Sequence, residues 1–130
     1  MPASTPQSSK VTLDRALAVH RAWKATLLKA VQSDAVLDVQ TLQRDDCCDL
    51  GQWLHAEGRQ HYGHTPQFVA LLRTHKEFHL VTGMVATVIN DKNYEQAKTL
   101  LQTGSQFEAA STDVALAIMN LKSTIAALCA

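Results

Sequence analysis

Four side chains that bind borderline-soft metals recur along this chain at intervals a helical fold could close: His20, Cys48, His75 and His79. The tightest pairing is in Leu71-Leu72-Arg73-Thr74-His75-Lys76-Glu77-Phe78-His79-Leu80, where His75 and His79 stand four positions apart in a run of helical periodicity. On a helix, i and i+4 lie one above the other on the same face, their Cβ atoms roughly 6 Å apart. Two imidazoles so placed can converge on one ion at about 2.0–2.1 Å each. Leu71, Leu72, Thr82 and Ala86 continue that face, so the pair points into a packed interior, where a ring nitrogen needs a partner. Two histidines are half a site. They are not the zincin arrangement, because Lys76 stands where the glutamate of His-Glu-x-x-His belongs and Glu77 lies about 200° round the helix.

The elements that must position these residues read as helices throughout. Residues 1–10, small and polar with two prolines, read as a disordered leader, and 11–130 as one domain. Thr12 offers an N-cap for a helix reaching about Gln32, with the stripe Leu13, Ala16, Leu17, Trp23, Leu27, Ala30 and Val31. His20 takes a heptad position on that stripe where leucine belongs. After a polar connection come a short helical piece from about Val39 to Asp45 and a second one through Cys47-Cys48-Asp49-Leu50-Gly51-Gln52-Trp53-Leu54, with Gly58 as a natural C′ residue. Gly51 costs about 1 kcal/mol relative to alanine inside a helix, which points to a backbone passing very close. If both cysteines lie on this helix they diverge by about 100°, and at most one faces a given ion.

Arg59 to His64 reads as a loop carrying His61 and His64. Thr65-Pro66 starts the helix that bears Phe68, His75, Phe78, His79, Val85 and Ile89, and Asn90-Asp91-Lys92 ends it. Asn93 with Gln96 resembles a capping box for a last stretch that runs to the C-terminus with a break or kink at Gly104. Four long segments with short connections, the second one split, and no strand signal predict an all-α, antiparallel up-and-down four-helix bundle.

Composition narrows the function. At 130 residues with 46% hydrophobic residues the chain can bury one core unaided. Zero formal net charge gives no electrostatic case for nucleic acid or an anionic membrane. No apolar run has membrane-spanning length and no signal peptide is visible. Three cysteines, two of them adjacent, do not make a disulfide framework, and a reducing cytoplasmic setting follows.

The intervals from His20 to Cys48 and from Cys48 to His75 are nearly equal, each about one helix plus its turn. An antiparallel bundle can return the chain to one height at such intervals, so the four side chains would meet in the core. Three imidazoles and a thiolate suit tetrahedral Zn²⁺, and a full set of four protein ligands disfavours hydrolytic chemistry.

The blocks His20-Arg21-Ala22-Trp23-Lys24, Cys48-Asp49-Leu50-Gly51-Gln52-Trp53-Leu54 and His75-Lys76-Glu77-Phe78-His79, with the later Gly104–Ser111, resemble the chemoreceptor zinc-binding domain family over roughly residues 12–125. Either of the Cys-x-Leu-Gly-x-Trp and His-x3-His blocks alone is a weak signal; together they are a strong one. The resemblance implies zinc ligands at His20, Cys48, His75 and His79, with Cys48 preferred over Cys47 by its register to Gly51 and Trp53. It implies a non-enzymatic sensory module, a homodimer, that serves chemotaxis or diguanylate cyclase signalling by sensing zinc or an oxidant such as hypochlorous acid. Cys48 would be the redox switch, since zinc holds it as the nucleophilic thiolate. These 130 residues carry no match to a receptor signalling or cyclase segment, so the domain reads as either a freestanding module or an excised piece.

Plainer roles stand beside these. His55 shares the Cys48 helix face but lies about 10.5 Å along the axis, His61 and His64 read as solvated, and Cys129 as inert. Asp46, Asp49 and Glu57 read first as solvated carboxylates, with orienting a ligating histidine as the alternative. Two rival readings are a di-iron bundle of the hemerythrin or ferritin-like kind, which needs carboxylates and Glu-x-x-His spacing absent here, and a purely structural bundle with satisfied core histidines.

Overall fold

A computed structural model describes residues 6–128, and all regular structure among them is helical. The segments are α1 (Pro6–Arg21), α2 (Trp23–Ser33), α3 (Val39–Leu42), α4 (Asp49–Leu54), α5 (Glu57–Tyr62), α6 (Pro66–Asn90), α7 (Tyr94–Leu100) and α8 (Gln106–Leu128). α6 is the central element: it packs along α8, receives α3 against its C-terminal half, and meets α2, α5 and α7, while α1 lies against α8 and α4.

Local chemistry explains where the long helices begin and end. Thr65 Oγ1 accepts the Phe68 N–H at 3.1 Å and Pro66 fills the first turn of α6, a cap worth about 1 kcal/mol. α1 and α2 are nearly one helix, interrupted at Ala22, whose N–H is shared between the carbonyls of Ala18 and Val19 at 3.2 Å. α2 stops at Asp34, which takes the left-handed conformation (φ 56°) and is held by Lys92 and Tyr94. The break expected at Gly104 is present: its φ of 85° separates α7 from α8.

The core joins all the long segments through Leu13, Leu27, Phe68, Phe78, Phe107 and Ile118, each almost wholly buried. Lys122 with Asp14 and Lys24 with Glu108 tie α1 and α2 to α8 on the outside. No helix among the described residues is long and apolar enough to cross a membrane.

Four boundaries differ from the sequence reading, the simplest being that the short piece read to about Asp45 ends at Leu42. α1 begins at Pro6, not Thr12, so the leader read over 1–10 overlaps a helix at residues 6–10; residues 1–5 lie outside the described residues. Proline suits a first turn, and Ser9 is buried on the inner face, extending the stripe by another turn. Residues 57–62, read mostly as loop, form α5, and Gly58 is inside it: a Cβ there would come within 2.7 Å of the Trp53 ring, so the missing side chain lets α5 lie flat on the indole. The stretch through Cys47 and Cys48 is not helical, because α4 starts only at Asp49.

Candidate metal centre

His20 comes from the last turn of α1, Cys48 from the turn before α4, and His75 and His79 from the middle of α6. One ligand atom from each lies within 4.8 Å of every other. The cluster is interior: His75 is fully buried and His20 and His79 nearly so, while Cys48 keeps partial contact with solvent.

Backbone carbonyls set the ring tautomers. His20 Nδ1 lies 2.7 Å from the Ala16 carbonyl oxygen and His79 Nδ1 lies 2.8 Å from that of Leu42. A carbonyl only accepts, so each Nδ1 carries the proton and each Nε2 keeps a free lone pair. His75 Nε2 lies 3.0 Å from His79 Nε2, and Cys48 Sγ lies 3.3 Å from His75 Nε2 and 3.5 Å from His79 Nε2. Tetrahedral zinc with bonds of about 2.0–2.1 Å to nitrogen and 2.3 Å to sulfur has edges of roughly 3.3–3.6 Å. The observed spacings come within a few tenths of an ångström of that. His20 Nε2 is buried with no hydrogen-bond partner, a lone pair that a cation would satisfy. The donor set therefore fits Zn²⁺, and no carboxylate belongs to it.

The electrostatics favour uncharged imidazoles. Burial pushes His75 down to about 2, with His79 and His20 adding to the shift. Burial also lowers His20, against the opposing hydrogen bond to Ala16, and lowers His79, against the opposing Leu42 carbonyl and the charge of Asp45. Neutral rings are the metal-binding form. The metal-free Cys48 thiol is raised by burial, partly offset by the N–H groups of Gly51 and Leu50. Cys48 is the N-cap of α4, its sulfur accepting the Gly51 N–H at 3.4 Å, so the start of that helix is aimed at the sulfur that must become a thiolate.

Gly51 is the close approach anticipated from its cost in a helix: a Cβ there would fall 1.8 Å from the Asp45 carbonyl oxygen. That contact presses the 45–48 turn onto α4 and fixes the height of Cys48. Gly83 does the same for α3, since a Cβ on it would meet Gln43 Cβ at 2.6 Å. A cleft of about 420 Å³ between α1 and α4 reaches His20 and Cys48 from solvent, with Arg15, Gln52, Trp53 and Glu57 along it.

Among the described residues, no hydrogen bond to a ligating histidine comes from Asp46, Asp49 or Glu57, in keeping with their plainer reading as solvated carboxylates. Asp46 pairs with Arg44, and the ring N–H groups of His20 and His79 go to main-chain oxygens, which no side-chain pattern discloses. Asp45, not singled out from the sequence, is the acid whose charge acts on His79, and it holds His55 at 3.3 Å. His55, His61 and His64 stay outside the cluster, as does Cys47; Cys129 lies outside the described residues.

An all-helical domain that gathers three imidazoles and one thiol at a buried point is a zinc-binding domain in its architecture and donor set. The model of the chemoreceptor zinc-binding domain family matches residues 20–85, half of the chain, and the chain belongs to that family. Its cofactor is Zn²⁺. The Gly104–Ser111 block lies outside the matched residues. No curated protein and no solved structure matches the chain.

Proposed function

We propose that this domain is a zinc-dependent sensory module in which His20, Cys48, His75 and His79 are the ligands and Cys48 is the point of response. One observation carries the reading: the Sγ atom and the two Nε2 atoms of α6 stand at tetrahedral-edge distances while backbone carbonyls hold the opposite nitrogens of His20 and His79. Bound zinc supplies charge that keeps the Cys48 sulfur as a thiolate. Cys48 lines the cleft with His20 and is the one member of the four that is partly exposed, so a small oxidant such as hypochlorous acid reaches the sulfur before it reaches the buried rings. Oxidation to sulfenic acid removes a strong ligand. The 45–48 turn, α4 and the end of α1 then lose their common anchor, which biases the packing of a four-helix bundle whose second limb is divided into α3, α4 and α5. Zinc availability would act through the same anchor.

A filled donor set leaves no open coordination position, which supports a non-catalytic role. The family's context supports a cytoplasmic homodimer coupled to a chemoreceptor or diguanylate cyclase output domain. Val69, Leu80 and Met84 on α6, with Leu116 and Met119 on α8, are exposed apolar residues available for such a contact.

The test is hypochlorous acid added to zinc-loaded protein, with released zinc read by a chromogenic chelator. The wild type releases zinc and Cys48→Ala, loaded as far as it will load, shows no oxidant-dependent release. Equal release from both removes the redox reading and leaves the zinc site standing.

A further inference from the structure

Cys47 takes no part in the four-atom cluster, yet it adjoins Cys48 in a stretch free of helical constraint. Inside a helix the two side chains would diverge by about 100°. Here residues 45–48 form turns and bends, and Cys48 is extended at φ −81° and ψ 164°. Both thiols are free and half-buried. Cys47 Sγ lies 3.6 Å from Asp46 Oδ1, a carboxylate gripped by Arg44 through two contacts of 3.0 Å. A second thiol with no ligand role thus sits one residue from the sulfur that lines the cleft.

We infer that Cys47 is a resolving thiol, which closes a vicinal disulfide with Cys48 after Cys48 is oxidised and so keeps the loss of the metal reversible. The inference rests on the reading of Cys48 as an oxidant-responsive ligand. In net terms the Cys48 thiolate and hypochlorous acid give a Cys48 sulfenic acid and chloride: an S–O bond forms and the O–Cl bond breaks. The Cys47 thiol then attacks Cys48 Sγ. The S–S bond forms, the S–O bond breaks, and the hydroxyl leaves as water with the Cys47 proton. Two electrons have passed from the two sulfurs to the oxidant, and Cys48 is no longer a thiolate.

Adjacent Cα atoms are about 3.8 Å apart, short of the roughly 4.4–6.8 Å that disulfides favour, so this bond is strained and easily reduced. A dithiol returns the two electrons and restores both ligand and resolving thiol. Without Cys47 a second equivalent of hypochlorous acid oxidises the sulfenic acid to sulfinic acid, adding a second oxygen and releasing chloride, and thiols do not reverse that product.

The experiment compares zinc-loaded Cys129→Ser protein with the same protein carrying Cys47→Ser, each treated with two equivalents of hypochlorous acid and then dithiothreitol. Zinc release and rebinding are followed by chelator absorbance, and the tryptic peptide 45–59, which contains both cysteines, is weighed. With Cys47 present, the peptide is lighter by two hydrogens, neither thiol alkylates, and dithiothreitol restores zinc binding. With Cys47→Ser, zinc is released as before, the peptide gains two oxygens, and rebinding is lost. Equal recovery in both proteins, a peptide oxygenated without loss of hydrogen while Cys47 is present, or a Cys47 bond to a second chain overturns the resolving role. Zinc release without the internal disulfide defeats this inference alone; absence of release in both defeats the redox reading beneath it. The peptide mass in the Cys47-containing protein decides the matter even if Cys47→Ser does not fold.

Discussion

His79 turns its Nδ1–H to the carbonyl oxygen of Leu42, 2.8 Å away at the last residue of α3, so a four-residue helix orients a ring carried on α6. α3 can lie that close because Gly83 leaves room for Gln43. Gly83→Val should lift α3 off α6 and free the His79 ring. Loss of such an outer hydrogen bond typically costs 10–100-fold in metal affinity. A competition titration against a chromogenic chelator should show a drop of about that size; unchanged affinity would mean that Leu42 does not position the ring.

The two cysteines should separate cleanly. Cys48→Ala removes a proposed ligand and should weaken zinc binding by more than the ~100-fold upper end for outer-shell losses, whereas Cys47→Ala should leave it within a few-fold. Isothermal competition at fixed pH measures both. Equal effects would move the ligand assignment off Cys48.

Chelation should lower the melting temperature. Free zinc at about 1,000 times its Kd stabilises the folded state by about 4 kcal/mol, which for a chain of this size is roughly 10–20 °C. Calorimetry with and without a strong chelator reads the difference. An identical melting temperature would favour a purely structural bundle with satisfied core histidines.

The metal-free domain should have a stability optimum bounded on both sides by the cluster. The folded-state values of His20, His75 and His79 lie below 6.5, so the unfolded chain binds more protons once pH falls past that value. Their contribution is complete above about 6.5 and is lost on acidification, each ring costing at most about 1.4 kcal/mol per pH unit, with His75 still losing towards pH 2. Cys48 works in the other direction. Its folded value is raised above 9.0, so its contribution is present below that value and is lost as pH rises through the folded one. Urea midpoints of chelator-treated protein across this range should fall at both ends; no fall below pH 6.5 would mean the rings are not held neutral by burial.

Two glycines should respond differently to the same change. Gly51→Ala drives a methyl into the Asp45 carbonyl, so it should cost about 1–3 kcal/mol and also weaken zinc binding by shifting the Cys48 turn. Gly104→Ala meets nothing within 4 Å and pays only for a left-handed backbone, about 1–2 kcal/mol, with zinc affinity unchanged. Denaturation and metal titration on both variants separate these outcomes.

The helical periods, the Thr65-Pro66 start, the break at Gly104 and the crowding at Gly51 were all legible in the chain, because each follows from local backbone chemistry or from the period of one face. The four metal-binding residue types and their nearly equal intervals were legible too, and the fold brings their ligand atoms within 4.8 Å of one another. Tertiary structure alone decided the rest. Which nitrogen of His20 and His79 is free depends on the main-chain oxygens of Ala16 and Leu42, and every residue has such an oxygen whatever its side chain. That Cys48 caps α4 instead of lying within it depends on the Asp45 carbonyl pressing against Gly51, a contact between segments whose relative placement no periodicity specifies. A pattern of side chains reports which face is buried; only packing reports which backbone atoms that face meets.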